Sequence, residues 1–303
     1  MKTVFIVNPK AGRERKIEDF IDKIKSHSED AEIYVTKSVG DATDFCKHYC
    51  VKNGPARFIA CGGDGTLSEV INGAVEFEGV EIGVIPMGTG NDFCRNFGES
   101  AFESIKSQMT GKSVRCDVIK YTTEIGNARK TGYCVNMFNI GFDCNVVDAT
   151  ESMKKKPFVA GSLAYFLGIL VTLVKKKGAK LRIELDGVEK HNGELLLTSL
   201  ANGCFCGGGI KSNPLASVQD GFININLIKN VSRLKFIYLL PFYMKGTFLK
   251  LKNIEKFAIS EKCKKVTVTP LSDNFRICID GEITSAGKTE FEIIHNAFSF
   301  ILP

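Results

Sequence analysis

The chain has 303 residues, of which 44% are hydrophobic and 24% charged, and this excludes a disordered or collagen-like chain. At roughly 100–200 residues per domain, the length suggests about two domains. The charge balance of 40 Lys and Arg against 34 Asp and Glu, a formal +6, suits an anionic substrate or membrane surface. It falls short of a nucleic-acid footprint, so no nucleic-acid partner is expected.

The first part alternates strand and helix signals. Val4 to Val7 predicts a strand closed by Asn8-Pro9 and Gly12. Ile17, Phe20, Ile21 and Ile24 recur at helical spacing and predict a helix from Arg13 to Ile24. A strand at Ile33 to Val35, a helix from Asp41 to Val51 capped by Asp41, and a strand at Phe58 to Cys61 follow. A helix from Leu67 to Val75 and a strand from Ile82 to Ile85 complete the pattern. This order predicts a parallel sheet flanked by helices, with ligands at the carboxyl ends of its strands.

Beyond about Asp117 short strands dominate: Val114–Tyr121, Tyr133–Ile140, Leu181–Leu185, Glu194–Leu200, Phe222–Ile228, Lys264–Thr269 and Phe275–Ile279. They predict a mainly antiparallel second domain, a sandwich or open barrel. Two apolar segments interrupt it. Phe158 to Val174, flanked by Lys154–Lys156 and Lys175–Lys177, fits a buried helix, an interfacial helix or, least well, a membrane span. Leu234 to Leu251 mixes five aromatic residues with Lys235, Lys245 and Lys250, which suits either a helix covering the sandwich or one docked on anionic lipid.

The eleven cysteines form no C-x-x-C pair and mostly sit in apolar runs, which reads as packing in a reducing compartment. The N-terminal apolar run is too short for a signal peptide. A cytoplasmic protein, in peripheral contact with membrane at most, is expected.

The chemistry concentrates in three loops at strand ends. Gly62-Gly63-Asp64-Gly65-Thr66 lies between a strand and a helix. Its glycines allow close backbone approach to a ligand, and the helix start offers unpaired N–H groups to phosphate. An acid in such a loop calls for a bridging cation, so Asp64 implies Mg²⁺. Pro86-Met87-Gly88-Thr89-Gly90-Asn91-Asp92-Phe93 repeats the design after the next strand, and Asn8-Pro9-Lys10-Ala11-Gly12 follows the first. None fits the Walker pattern or a strand-following G-x-G-x-x-G.

Asn8-Pro9-x-x-Gly12, Gly62-Gly63-Asp64-Gly65-Thr66 with Glu69 and Asn72, and Pro86-x-Gly88-Thr89-x-Asn91-Asp92-Phe93 together resemble the diacylglycerol kinase catalytic family. That family includes soluble bacterial lipid kinases and the sphingosine and ceramide kinases. The resemblance extends to Asp117 at the domain crossing, Gly141-Phe142-Asp143, Asp220-Gly221 and Asp280-Gly281-Glu282. It departs from the common pattern at Ala11, where many members carry Ser, and at Cys94, where Ala is common.

The resemblance implies an α/β nucleotide-binding domain over residues 1–117, to which 296–303 return, and a lipid-binding β-sandwich with inserted helices over 118–295. It implies ATP and Mg²⁺ as cofactors, a cleft between the domains as active site, and transfer of the γ-phosphoryl group to a lipid hydroxyl, diacylglycerol by default. Asn8, Pro9, Gly12, Gly62, Gly63, Gly65, Thr66, Gly88, Thr89, Asn91 and Asp92 would bind the nucleotide. Asp64 and Asp117 would organise Mg²⁺, Asp220 would hold a structural metal ion, and Glu282 or Asp280 would act as general base, Glu282 being favoured for its reach. A lipid at an anionic membrane surface is the expected partner, with a homodimer an open assembly. The competing readings are a small-molecule kinase of the NAD kinase type and a lipid-binding or regulatory protein that has lost catalysis.

Overall fold

The computed structural model describes all residues except 13–16, 29, 89, 99–101, 103, 143, 145 and 147–177. The expected helix at Phe158 to Val174, the first residues of the Arg13 helix, Thr89 and Asp143 lie outside the described residues. The chain divides into two compact units, Met1–Val118 with His295–Pro303, and Ile119–Ile294.

The first unit is an α/β domain. Strands β1 (Thr3–Val7), β2 (Glu32–Val35), β3 (Arg57–Gly62) and β4 (Glu81–Pro86) run parallel in the order β2-β1-β3-β4. The end of the last strand, β16 (Thr289–Ile301), joins beside β4, pairing Ser299 with Glu81 and Phe300 with Ile82. Alternation along the strands sorts the two faces. Phe5, Val7, Ile59 and Ile85 pack with Phe20 and Ile24 of α1 (Ile17–His27) and with Ile105 of α5 (Ile105–Thr110). On the other face, Phe58 meets Tyr49 of α2 (Asp41–Asn53) edge to face. Helix α3 (Asp64–Ala74) lies so close to α2 that a Cβ on Gly73 would stand 2.4 Å from the Thr43 carbonyl oxygen.

One local expectation is corrected here. Asp41 is the first residue of α2, and Gly40, in a left-handed conformation, is its N-cap. The Asp41 carboxylate instead accepts from the Lys37 amide (2.7 Å) and the Tyr34 hydroxyl (2.8 Å), and these bonds hold its pKa below the usual value. They close the β2–α2 turn.

The second unit is a two-layer antiparallel sandwich. One sheet contains β5 (Ser113–Ile125) paired with β6 (Ala128–Cys134), and the series β16-β13-β8-β9, with β8 Ala179–Leu185, β9 Val188–Leu195 and β13 Lys265–Pro270. The other has the order β12-β11-β10-β7-β14-β15. Its strands are β7 (Met137–Gly141), β10 (Leu197–Ala201), β11 (Ile223–Ile228), β12 (Ala258–Cys263), β14 (Arg276–Ile279) and β15 (Glu282–Ser285). Phe138, Ile140, Leu200 and Ile225 from this sheet and Ile119, Leu181, Ile183 and Phe291 from the other share one core. After β11, helix α6 (Arg233–Met244) lies on the surface, its N-cap Ser232 accepting from the Lys235 amide. Helix α4 (Asp92–Arg95) is a single turn in the first unit.

Two expected strands are each two strands. Tyr133–Ile140 breaks between β6 and β7, and Glu194–Leu200 breaks at Leu196 between β9 and β10. At both breaks the chain passes from one sheet to the other. Apolar residues flank each break, because both halves contribute to the same core.

The first crossing leaves backbone amides without ladder partners, and Asp280 takes them. Its carboxylate accepts from the amides of Val135 (2.8 Å), Asn136 (2.9 Å) and Met137 (3.0 Å), and from the Cys134 thiol (3.1 Å). Asp280 itself has positive φ in the two-residue Asp280-Gly281 turn joining β14 to β15. Asp280→Ala would strand three buried amides, so unfolding in denaturant should show a loss of about 3 kcal/mol or more. Glu282→Ala, two residues on at an exposed position, should change stability by no more than about 0.5 kcal/mol.

Candidate active site

The strand order β2-β1-β3-β4 places a topological switch between β1 and β3, where an open parallel sheet binds ligands beyond its carboxyl edge. The turns that leave those two strands are joined there. The Asn8 amide donates to the Cys61 carbonyl (3.0 Å), and Asn8 Nδ2 donates to Thr66 Oγ1 (3.1 Å). Asn8 Oδ1 accepts from the Lys10 amide (2.9 Å), which shapes the first turn. Gly12 closes that turn at φ 87°.

Beside this junction opens a cleft of ≈ 430 Å³ lined by Asn8, Pro9, Lys10, Lys37, Thr66 and Glu69, among others. Lys10 and Lys37 give it positive charge. The Thr36-Lys37-Ser38 turn that borders it is absent from the expected site. The strand-end rule that finds the glycine loops also finds this turn once β2 is placed next to β1.

The second and third glycine loops meet backbone to backbone. A Cβ on Gly88 would stand 2.6 Å from the Gly63 Cα, and one on Gly62 would stand 2.3 Å from Thr66 Oγ1. The Met87 amide donates to the Gly62 carbonyl (2.8 Å). Gly63 caps α3 without a side-chain hydrogen bond, so Asp64, Gly65 and Thr66 form a first turn whose amides no cap side chain engages.

Around Gly90 two carboxylates converge. A Cβ there would stand 2.6 Å from Asp64 Oδ2 and 3.7 Å from Asp92 Oδ2. Asp64 Oδ1 accepts from the Phe93 amide (3.3 Å). Asp92 lies 3.6 Å from Arg95 Nε, and the Arg95 guanidinium also donates to the Gly90 carbonyl (3.2 Å through its terminal nitrogen). Asn91 shapes this loop, since its Nδ2 donates to the Gly88 carbonyl (3.0 Å) and its φ is 53°.

The other predicted acids have separate settings. Asp117 is fully buried, and its Oδ1 accepts from His295 Nδ1 (2.8 Å) and the Asn296 amide (2.8 Å). It ties β5 to β16, a pairing invisible in sequence because its members are 178 residues apart. Among the described residues no three His, Cys, Asp or Glu side chains gather as a metal cluster, so Asp117 does not complete a cage with Asp64 and Asp92. Asp280 accepts from three backbone amides as described and holds the sheet crossing in place. Glu282 is exposed at the start of β15.

Asp220 is paired within the chain. Its Oδ2 lies 2.6 Å from Lys262 Nζ and its Oδ1 accepts from the Phe222 amide at 3.1 Å. An internal ammonium thus stands where the resemblance implies a cation. Mg²⁺ takes one or two hard carboxylate oxygens and completes its shell with water and phosphate, a donor set that Asp64 and Asp92 at Gly90 would supply beside Arg95.

The second unit carries an apolar pocket on the outer face of the β7–β12 sheet. Phe142, Leu197, Ile228, Phe236, Leu240 and Tyr243 are among its walls. Nine of the eleven cysteines are buried, and burial pushes the Cys116 and Cys263 thiols up to about 12.

Residues 2–121 match the family described as diacylglycerol kinase catalytic domain, and residues 136–302 match the YegS C-terminal NAD kinase beta sandwich-like domain. The chain is 30% identical over 283 residues to the diacylglycerol kinase of Staphylococcus carnosus (strain TM300), covering 91% of this chain and 87% of that one. It is 29% identical to the diacylglycerol kinase of Staphylococcus aureus (strain bovine RF122 / ET3-1), covering 91% and 84%. The solved structure of a diacylglycerol kinase from Bacillus anthracis str. Sterne aligns with TM-score 0.70 at 22% identity, covering 100% of this chain and 97% of that one. Yeast NADH kinase complexed with NADH aligns with TM-score 0.54 at 10% identity, covering 100% and 84%. These two likenesses speak to the fold. The chain belongs to the diacylglycerol kinase catalytic-domain family, with an α/β unit followed by a β-sandwich unit of the NAD kinase type.

The Asp220–Lys262 pair has a measurable consequence. EDTA should leave the thermal unfolding midpoint of the chain unchanged, whereas Lys262→Met should lower it and make it rise with added Mg²⁺. A wild-type midpoint that falls on chelation would restore a metal to the Asp220 loop.

Proposed function

We propose that this chain is an ATP-dependent lipid kinase that phosphorylates the hydroxyl of diacylglycerol. The observation that carries the reading is the presence in one chain of a cationic cleft at glycine-rich strand ends and a separate apolar pocket walled by aromatic and aliphatic side chains.

The amides of the Gly63–Thr66 turn would bind phosphate oxygens, aided by the positive end of α3. Lys10 and Lys37 would balance the charge of the nucleotide. Asp64 and Asp92 would hold Mg²⁺, which when bound neutralises charge on the β- and γ-phosphates. The lipid oxygen would form a bond to the γ-phosphorus as the bond from that phosphorus to the bridging oxygen breaks and ADP leaves. Glu282, the acid not engaged in holding the fold, would accept the hydroxyl proton.

Transfer from γ-labelled ATP to diacylglycerol in mixed micelles tests this. Label should enter the lipid with Mg²⁺, vanish in EDTA, and fall roughly 100- to 1,000-fold in Asp64→Ala. Glu282→Ala should fall with it while keeping wild-type stability. Transfer to NAD or a sugar with no lipid labelled would contradict the proposal, and tight lipid binding without transfer would favour a silent lipid carrier.

A further inference from the structure

Helix α6 is apolar on two faces. Phe236, Leu239, Leu240 and Tyr243, spaced i, i+3, i+4 and i+7, face inward and line the apolar cavity. Leu234, Ile237, Tyr238 and Pro241 repeat the same spacing and face outward. Leu234 is 82% exposed, Ile237 52% and Tyr238 62%, and no residue of the helix is fully buried. A helix apolar on all sides belongs in a protein core or in lipid, and this one lies at the surface.

The charge around it has one sign. From Lys229 to Lys256 the sequence holds seven Lys or Arg and one acid, Glu255, and α6 itself carries no Asp or Glu. Lys229, Arg233 and Lys245, just before, at and just beyond the two ends of the helix, are exposed. An apolar stripe bordered by cations is complementary to an anionic bilayer surface, where apolar side chains enter the acyl boundary and basic ones meet headgroups. A soluble protein partner would have to match the same stripe with acids and an apolar groove, whereas a bilayer offers both without shape complementarity. Among the described residues no helix is long and apolar enough to cross a membrane, so contact here is interfacial.

We infer that α6 is an interfacial anchor whose Leu234–Ile237–Tyr238 stripe enters an anionic leaflet, so that the cavity under its inner face opens toward lipid. This rests on the lipid-kinase reading for its purpose, though the docking itself does not require catalysis.

The chain contains no tryptophan, so Tyr238→Trp introduces a lone fluorophore in the stripe. With phosphatidylglycerol–phosphatidylcholine vesicles its emission should shift to the blue and be quenched by brominated acyl chains, an effect weakened by salt. The full chain should sediment with these vesicles and far less with pure phosphatidylcholine. Leu234→Ser/Ile237→Ser/Tyr238→Ser should reduce sedimentation by about tenfold or more, lower turnover of vesicle-borne diacylglycerol, and leave turnover of a monomeric short-chain diacylglycerol unchanged. None of the three residues lines the cavity.

An unshifted, unquenched Tyr238→Trp, or a triple variant that sediments like wild type, would overturn the anchor. So would a wild-type dimer that the triple variant dissociates, since the stripe would then bind a second copy. Absence of turnover on the short-chain acceptor by the wild type would overturn the kinase reading while the sedimentation result still decides the anchor.

Discussion

Two glycine loops touch backbone to backbone, and the candidate site of the first unit depends on that contact. Gly63 and Gly88 approach so closely that a methyl group on Gly88 has no room. The contact draws the turn after β3 against the turn after β4, and the same convergence at Gly90 brings Asp64 and Asp92 to one place. Their oxygens would each be costly in isolation, and they become useful where a divalent cation and phosphate share the charge. Behind the loop, Phe93 stacks edge to face with Phe300 of the C-terminal strand at 4.9 Å, so the end of the chain supports the turn after β4.

The second unit solves a different problem. A sandwich whose strands change sheet must leave backbone groups unpaired at each change. One carboxylate, Asp280, meets three such amides, and this explains why an acid sits in a hairpin turn at the edge of a sheet. The neighbouring Glu282 is exposed at the start of β15. Two carboxylates two residues apart are separated in role by what surrounds them.

Much of this was legible in sequence. The βα alternation up to Pro86 is carried by local periodicity, and the glycine loops fall at strand ends as that pattern requires. The crossings at Val135–Asn136 and Leu196 were hidden because apolar residues lie on both sides of each. The partners of Asp117, Asp220 and Asp280 were hidden for another reason. Each is fixed by a residue 42 to 179 positions away, and no spacing rule reaches that far. Lys37 was hidden by the order of strands, since its turn joins the cleft only when β2 lies next to β1.

The most direct measurement is the dissociation constant of Mg²⁺·ATP for Gly88→Ala, with its unfolding midpoint recorded beside it. The added methyl group must push the two loops apart, so a folded variant with affinity or turnover lowered by about 100-fold is predicted. A folded variant that binds and turns over nucleotide like wild type would contradict the claim that the contact between the glycine loops builds the site.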